Sequence, residues 1–228
     1  RMTLQHINIL FQLIAFVFAI SVHESAHAWM ANLRGDPTAR MLGRITLNPI
    51  KHIDPVGTVL LPLIAAFAHF PVIGWAKPTP VNPRNFKNPV LDDVLTSVVG
   101  PVSNFAVATA AVLILIVIKH SSAAGAQIVY GIPQGFISLQ SDSILVPACL
   151  LLYQFMIINV VLGVFNLIPV PPLDGSHVLR HFLPANLLRI YDAAGMFMLM
   201  ALVFLGGGLL GRLIYPVIGI FDAAVLGI

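Results

Sequence analysis

Charge is what this sequence has least of. Of 228 residues only 9% are Asp, Glu, Lys or Arg, while 58% are hydrophobic, and a water-facing surface cannot be assembled from such a composition. That excludes a soluble domain, a disordered tail and a nucleic-acid-binding arm. Cysteine occurs once, as Cys149 in an apolar run, so no intrachain disulfide can form. No direct or inverted repeat is visible. Glutamate also occurs once, as Glu24, so its location carries unusual weight.

Long apolar blocks are abundant. With a mean hydropathy of +0.92, the chain divides into stretches near the ~20 residues that cross a bilayer as a helix. Short segments holding most of the charge separate them. The pI of about 9.3 then reflects basic loops beside an anionic leaflet. The expected fold class is an all-α polytopic membrane protein, residues 1–228 forming one domain with about four to six membrane helices.

Residues 7–31 read as the first membrane helix, closed by Asn32 and the breaker Gly35-Asp36-Pro37. This run continues into histidine-bearing helix without a small-residue cleavage site, so it is expected to be a retained membrane helix and not a signal peptide. In 38–49 (TARMLGRITLNP) apolar and polar residues alternate around a glycine, which predicts a short membrane-associated β-hairpin. Residues 56–74 are apolar but broken by Pro62, His69 and Pro71, and the proline-rich stretch GWAKPTPVNPRNF that follows reads as loop or strand. Blocks 94–118 and 144–168 are expected to span, with 119–143 a short loop between them. A short amphipathic segment after 175 leads to another span at 190–206, and 209–228 is expected to cross or to lie along the interface.

The polar residues of the first helix cluster in its second half, as His23-Glu24-Ser25-Ala26-His27. Residues four apart share a helix face, so both imidazoles can reach one Zn²⁺ while the glutamate between them is placed to act on water. With eight His and a single Glu, composition alone would produce this spacing roughly once in a thousand such chains. Ionisable groups inside a membrane are costly and mark function. Zinc needs a third protein ligand and an open position. Asp36, Asp54, Asp92 and Asp93 fall in loops, where solvation explains them. Asp174 closes the block NLIPVPPLDG, where prolines break the helix as it leaves the membrane. On composition alone a turn or cap before Gly175 is the favoured account of Asp174.

HExxH in the first helix, Gly100-Pro101-Val102-Ser103-Asn104 at the start of the next clear one, and NxxPxPxLDG after the third together resemble the site-2 protease family of intramembrane zinc metalloproteases. The likeness covers nearly the whole chain. The stretches GDPTARMLGRITLNPIKHIDPVGT and GWAKPTPVNPRNFKNP are similar to the compact prokaryotic members that lack PDZ and CBS domains. The resemblance implies one Zn²⁺ held by His23, His27 and Asp174, with Glu24 as the catalytic base. It also implies substrate-backbone contact or transition-state stabilisation by Asn104 and Asn166, for which interhelical hydrogen bonding is an equally good account. It implies a prokaryotic cell membrane as the location, and single-span membrane proteins as substrates.

One active site needs its three motifs at one depth. The first helix then runs out-to-in, 94–118 in-to-out and 144–168 out-to-in, and 56–74 becomes a re-entrant segment broken at its prolines. On that topology Arg34, Arg40, Arg44, Lys51, Lys77, Arg84, Lys87, Arg180 and Arg189 lie on the active-site side, against Arg1 and Lys119 opposite, with Arg212 unassigned. That bias makes the active-site side cytoplasmic. The expected reaction is hydrolysis of a peptide bond within or near the cytoplasmic end of a membrane-spanning substrate helix. Two rival classes fit less well. A zinc or proton transporter would use the same intramembrane His, Asp and Glu groups, but 94–118 carries no charge and no repeat is seen. A catalytically silent scaffold would show a lost ligand or base, and none is lost. His177 and His181, four apart, fit an interfacial helix more simply than a second metal site.

Overall fold

The computed structural model describes residues 4–60, 64, 76–135 and 143–227. Among these the chain is helical and contains no strand. Eight α-helices are resolved there: α1 Leu4–Arg34, α2 Thr38–Met41, α3 Pro89–Ser121, α4 Ala123–Gln134, α5 Leu145–Asn166, α6 Asp174–Arg180, α7 Ala185–Leu205 and α8 Gly207–Leu226. Five of them, α1, α3, α5, α7 and α8, are long and apolar enough to cross a membrane, as a multi-pass protein requires. The chain forms two compact units, one of Ile20–Gly100 and one of Arg1–Ala19 with Pro101–Ile228.

The Ile20–Gly100 unit is organised by two buried aspartates. Asp36 accepts from the hydroxyl of Thr38 and, at 2.7 Å each, from the backbone N–H of Asn82 and the side-chain amide of Asn85. Burial acts to raise the Asp36 carboxyl, but these donors outweigh it and hold the group below the ordinary carboxylate value. Asp92 is fully buried and pairs with Arg34 at 2.6 Å. Its other oxygen accepts from the N–H of Asn88 at 2.8 Å, so it caps the start of α3, where Pro89 occupies the first helical position. The two acids thereby tie the end of α1 to the segment leading into α3.

The expected β-hairpin at 38–49 is not what forms. Residues 38–41 make the short helix α2, and Gly43, with φ +66°, ends it. Gly43 N–H donates to Arg40 O at 2.9 Å and Arg44 N–H to Ala39 O at 3.0 Å, the paired bonds of a Schellman helix end. A glycine amid alternating residues is common to a hairpin turn and to this helix end. The starting signal, Asp36 accepting from Thr38, favours the helix. Of the expected re-entrant segment, Pro55–Leu60 forms a π-helical turn, and most of the rest lies outside the described residues.

In the second unit the connection 119–143 is not a simple loop. Ser122 caps α4 by accepting from Gly125 N–H at 3.0 Å, and Gly135, with φ +72°, stops it. Val129 of α4 joins a core with Leu115, Cys149, Met156, Val160 and Val225. Lys119 donates to the carbonyls of Val225 and Leu226 at 2.8 and 3.1 Å, satisfying the free carbonyls at the end of α8. The stretch 209–228 is thus mostly helix α8, of crossing length. Phe197 and Leu205 of α7 are 80% and 86% exposed, as suits a helix facing lipid.

Candidate active site

His23 and His27 lie one turn apart on α1, each less than a tenth exposed. Their Nε2 atoms are 3.0 Å apart and their rings meet edge to face, centroids 4.6 Å apart. The Nδ1 of His27 lies 2.6 Å from the carbonyl oxygen of Thr96 on α3. A carbonyl only accepts, so Nδ1 carries the proton and, in the neutral ring, the lone pair sits on Nε2. Two nitrogens each about 2.0–2.1 Å from a tetrahedral zinc would be ~3.3 Å apart, so the pair fits the ion with little adjustment.

Space for those rings comes from Gly100. A Cβ there would lie 2.5 Å from Nε2 of His27 and 2.7 Å from Cε1 of His23, inside any real contact. The glycine therefore leaves the room that the imidazoles occupy.

Glu24, between the two histidines in sequence, makes a contact of its own. Its Oε2 accepts from the backbone N–H of Thr79 at 2.8 Å and from the Thr79 hydroxyl at 2.7 Å. Thr79 belongs to the stretch 76–82, which has no regular secondary structure and which Arg44 anchors. The Arg44 guanidinium, 4% exposed, donates to the carbonyls of Lys51, Lys77 and Pro78. Burial lowers the pKa of Arg44, and the negative charge of Glu24 opposes that.

Asp174 opens α6 in the other unit. The loop before it is fixed from within that unit. Tyr191 donates to Pro169 O at 2.9 Å. Gly195 is a close approach, since a Cβ there would sit 2.5 Å from Pro171. Gly175 is needed for a similar reason, because a Cβ would lie 2.2 Å from the carbonyl oxygen of Leu167.

The two asparagines singled out from sequence stand in different surroundings. Asn104 is fully buried and donates to Asn159 Oδ1 at 2.8 Å and to Ala19 O at 3.2 Å, so it bridges α3, α5 and α1. Asn166 is half-buried and donates to Leu162 O on its own helix at 3.0 Å. Sequence reasoning missed Thr79, Thr96, Arg44 and Asn159. A backbone carbonyl such as that of Thr96 leaves no mark in residue type. The lone threonine between two prolines was a visible signal for Thr79.

The sequence profile of peptidase family M50 matches residues 11–206. The chain is 40% identical over 171 residues to "Putative zinc metalloprotease YwhC" of Bacillus subtilis (strain 168), covering 75% of this chain and 68% of that protein. No solved structure matches it. A zinc-fitting histidine pair with an intervening glutamate on a membrane-crossing helix, within a match of this extent, means that the chain belongs to peptidase family M50, the site-2 proteases, and is a membrane zinc metalloprotease.

Proposed function

We propose that this metalloprotease hydrolyses a peptide bond within or near the cytoplasmic end of a membrane-spanning substrate helix, using one zinc per chain held by His23, His27 and Asp174. The paired Nε2 atoms, 3.0 Å apart on a helix that also carries the only glutamate, are the observation that carries this reading. Asp174 is proposed as the third ligand on its place in the NLIPVPPLDG motif, which lies within the family match.

When bound, zinc supplies Lewis acidity that acidifies a water and polarises the scissile carbonyl. The residues of the chain do the rest. His23 and His27 present lone pairs, and the Thr96 carbonyl keeps His27 in the required tautomer. Glu24 takes the proton from the attacking water and returns it to the leaving amine. A substrate helix must unwind first, because its own hydrogen bonds shield the backbone from attack. Asn104 and Asn166 are proposed to contact the substrate backbone or stabilise the transition state; the half-burial of Asn166 supports that role, while the burial of Asn104 and its bonds to Asn159 and Ala19 favour interhelical hydrogen bonding for it.

The segment between Lys51 and Lys77 is proposed to enter and leave the membrane on one side. Hydrogen bonds from Arg44 to the carbonyls of both residues support this. The excess of Lys and Arg in the segments flanking the motifs favours the cytoplasm as that side. The test is metal analysis of purified protein together with cleavage of a panel of single-span membrane proteins. Glu24→Gln should keep its zinc and lose cleavage, because the carboxylate moves a proton and binds no metal. Loss of zinc in that variant would contradict the assignment.

A further inference from the structure

Thr79 stands between Pro78 and Pro80. Proline has no N–H, and the residue before a proline is pressed into extended backbone. Thr79 is therefore the only backbone donor across 78–80, and its N–H meets Glu24 Oε2 at 2.8 Å. The hydroxyl lies 2.7 Å from the same oxygen and 3.0 Å from the carbonyl of Glu24. Its single proton goes to the nearer, charged acceptor. The stretch that presents Thr79 is fixed in turn. Arg44 holds the carbonyls of Lys77 and Pro78, and Lys77 N–H donates to His52 O at 2.9 Å.

We infer that Thr79 is a positioning residue for the general base: two donors on Oε2 fix the rotamer of Glu24 and leave Oε1 as the oxygen that takes the proton from water. Among the described residues no hydrogen bond to Oε1 competes with that role. The inference rests on the proteolytic reading above. It makes the proline-rich stretch, which supplies neither ligand nor base, a part of the catalytic apparatus.

The test uses the full chain with Thr79→Val, Thr79→Ala and Thr79→Ser. General acid–base catalysis contributes about 10²–10⁴-fold, so removing the hydroxyl donor in Thr79→Val and Thr79→Ala, which leaves the backbone N–H alone to hold Oε2, should cost kcat roughly 10-fold. Zinc content and KM should stay at the wild-type value, and Thr79→Ser should return to near wild-type kcat. In a Glu24→Gln background, Thr79→Val should cause no further loss. A second readout needs neither zinc nor turnover. Because Glu24 is the only glutamate, protein labelled with ¹³C at glutamate Cδ gives one carboxylate signal, which should move in Thr79→Val and Thr79→Ala but much less in Thr79→Ser. An unmoved signal, an unchanged kcat, or a loss in Thr79→Ser as large as in Thr79→Val would overturn the inference. If the signal moves as expected but wild-type protein cleaves no substrate, the proteolytic reading fails and the Thr79–Glu24 coupling stands.

Discussion

The N–H of Lys77 donates to the carbonyl of His52 at 2.9 Å, so the chain between them starts and ends at one place. A helix crossing the bilayer once would part its ends by about 30 Å. Lys51 and Lys77 should therefore face the same compartment. Single cysteines at 51 and 77, in a Cys149→Ser background, should both resist a membrane-impermeant thiol reagent applied to intact cells and both react after lysis. Labelling of 77 but not 51 from outside would defeat the one-sided arrangement.

Asp174 and His177 lie one turn apart on α6, and both are chemically able to bind zinc. Asp174 is expected to be the ligand. Asp174→Ala should release most of the zinc at micromolar protein, whereas His177→Ala should retain it. Atomic absorption on both purified variants decides between them, and the reverse order would return Asp174 to the role of a turn residue.

Gly100→Ala places a methyl 2.5 Å from Nε2 of His27. Overpacking of this kind costs about 1–3 kcal/mol, and here the strain falls on a ligand. Weaker zinc binding, by roughly 10-fold or more at 1.4 kcal/mol per decade, is the expected outcome in competition titrations with a chelator. Unchanged affinity would show that the rings move aside without losing their geometry.

Asp36 provides a dependence on pH. Its carboxyl is held below the usual value by Thr38, Asn82 and Asn85 against the opposing effect of burial. A carboxylate with a depressed folded-state pKa stabilises fully above its unfolded value, about 3.9, and that contribution disappears as pH falls through the lower folded value. Hydrogen-exchange protection of residues 76–88, corrected for the intrinsic pH dependence of exchange, should therefore fall below about pH 4 in the wild type. In Asp36→Asn, exchange there should already be fast at neutral pH, since stranding buried donors costs ~1–3 kcal/mol, and should vary less with acid.

How much could be read in advance depended on whether the information was local. The HESAH spacing lies within two turns of one helix, so the pairing of His23 and His27 follows from geometry alone. The long apolar blocks α1, α3, α5 and α7 were legible from hydropathy, though their ends moved by several residues, as frayed and capped ends do. Gly43 misled because a left-handed glycine serves hairpins and helix ends equally. For α4, the serine and glycine composition suggested a loop, whereas Ser122 and Gly135 are its caps. Gly100 belongs to a motif visible in the sequence, but its reason, room for two imidazoles, depends on the packing of α3 beside His23 and His27. The grip of Thr79 on Glu24 joins residues 55 apart in sequence; the flanking prolines mark Thr79 but not its partner.

Asn104 and Asn159 meet amide to amide between α3 and α5, in a part of the protein where neither has water to turn to. A slip of one helix past the other by a single turn, about 5.4 Å, would break this bond and leave Asn159 Oδ1 in a medium that offers no substitute for the lost donor. The pair therefore works like a peg in a ruler, permitting tilt but not sliding. Bilayers of different thickness should lean these two helices together while their mutual register stays put.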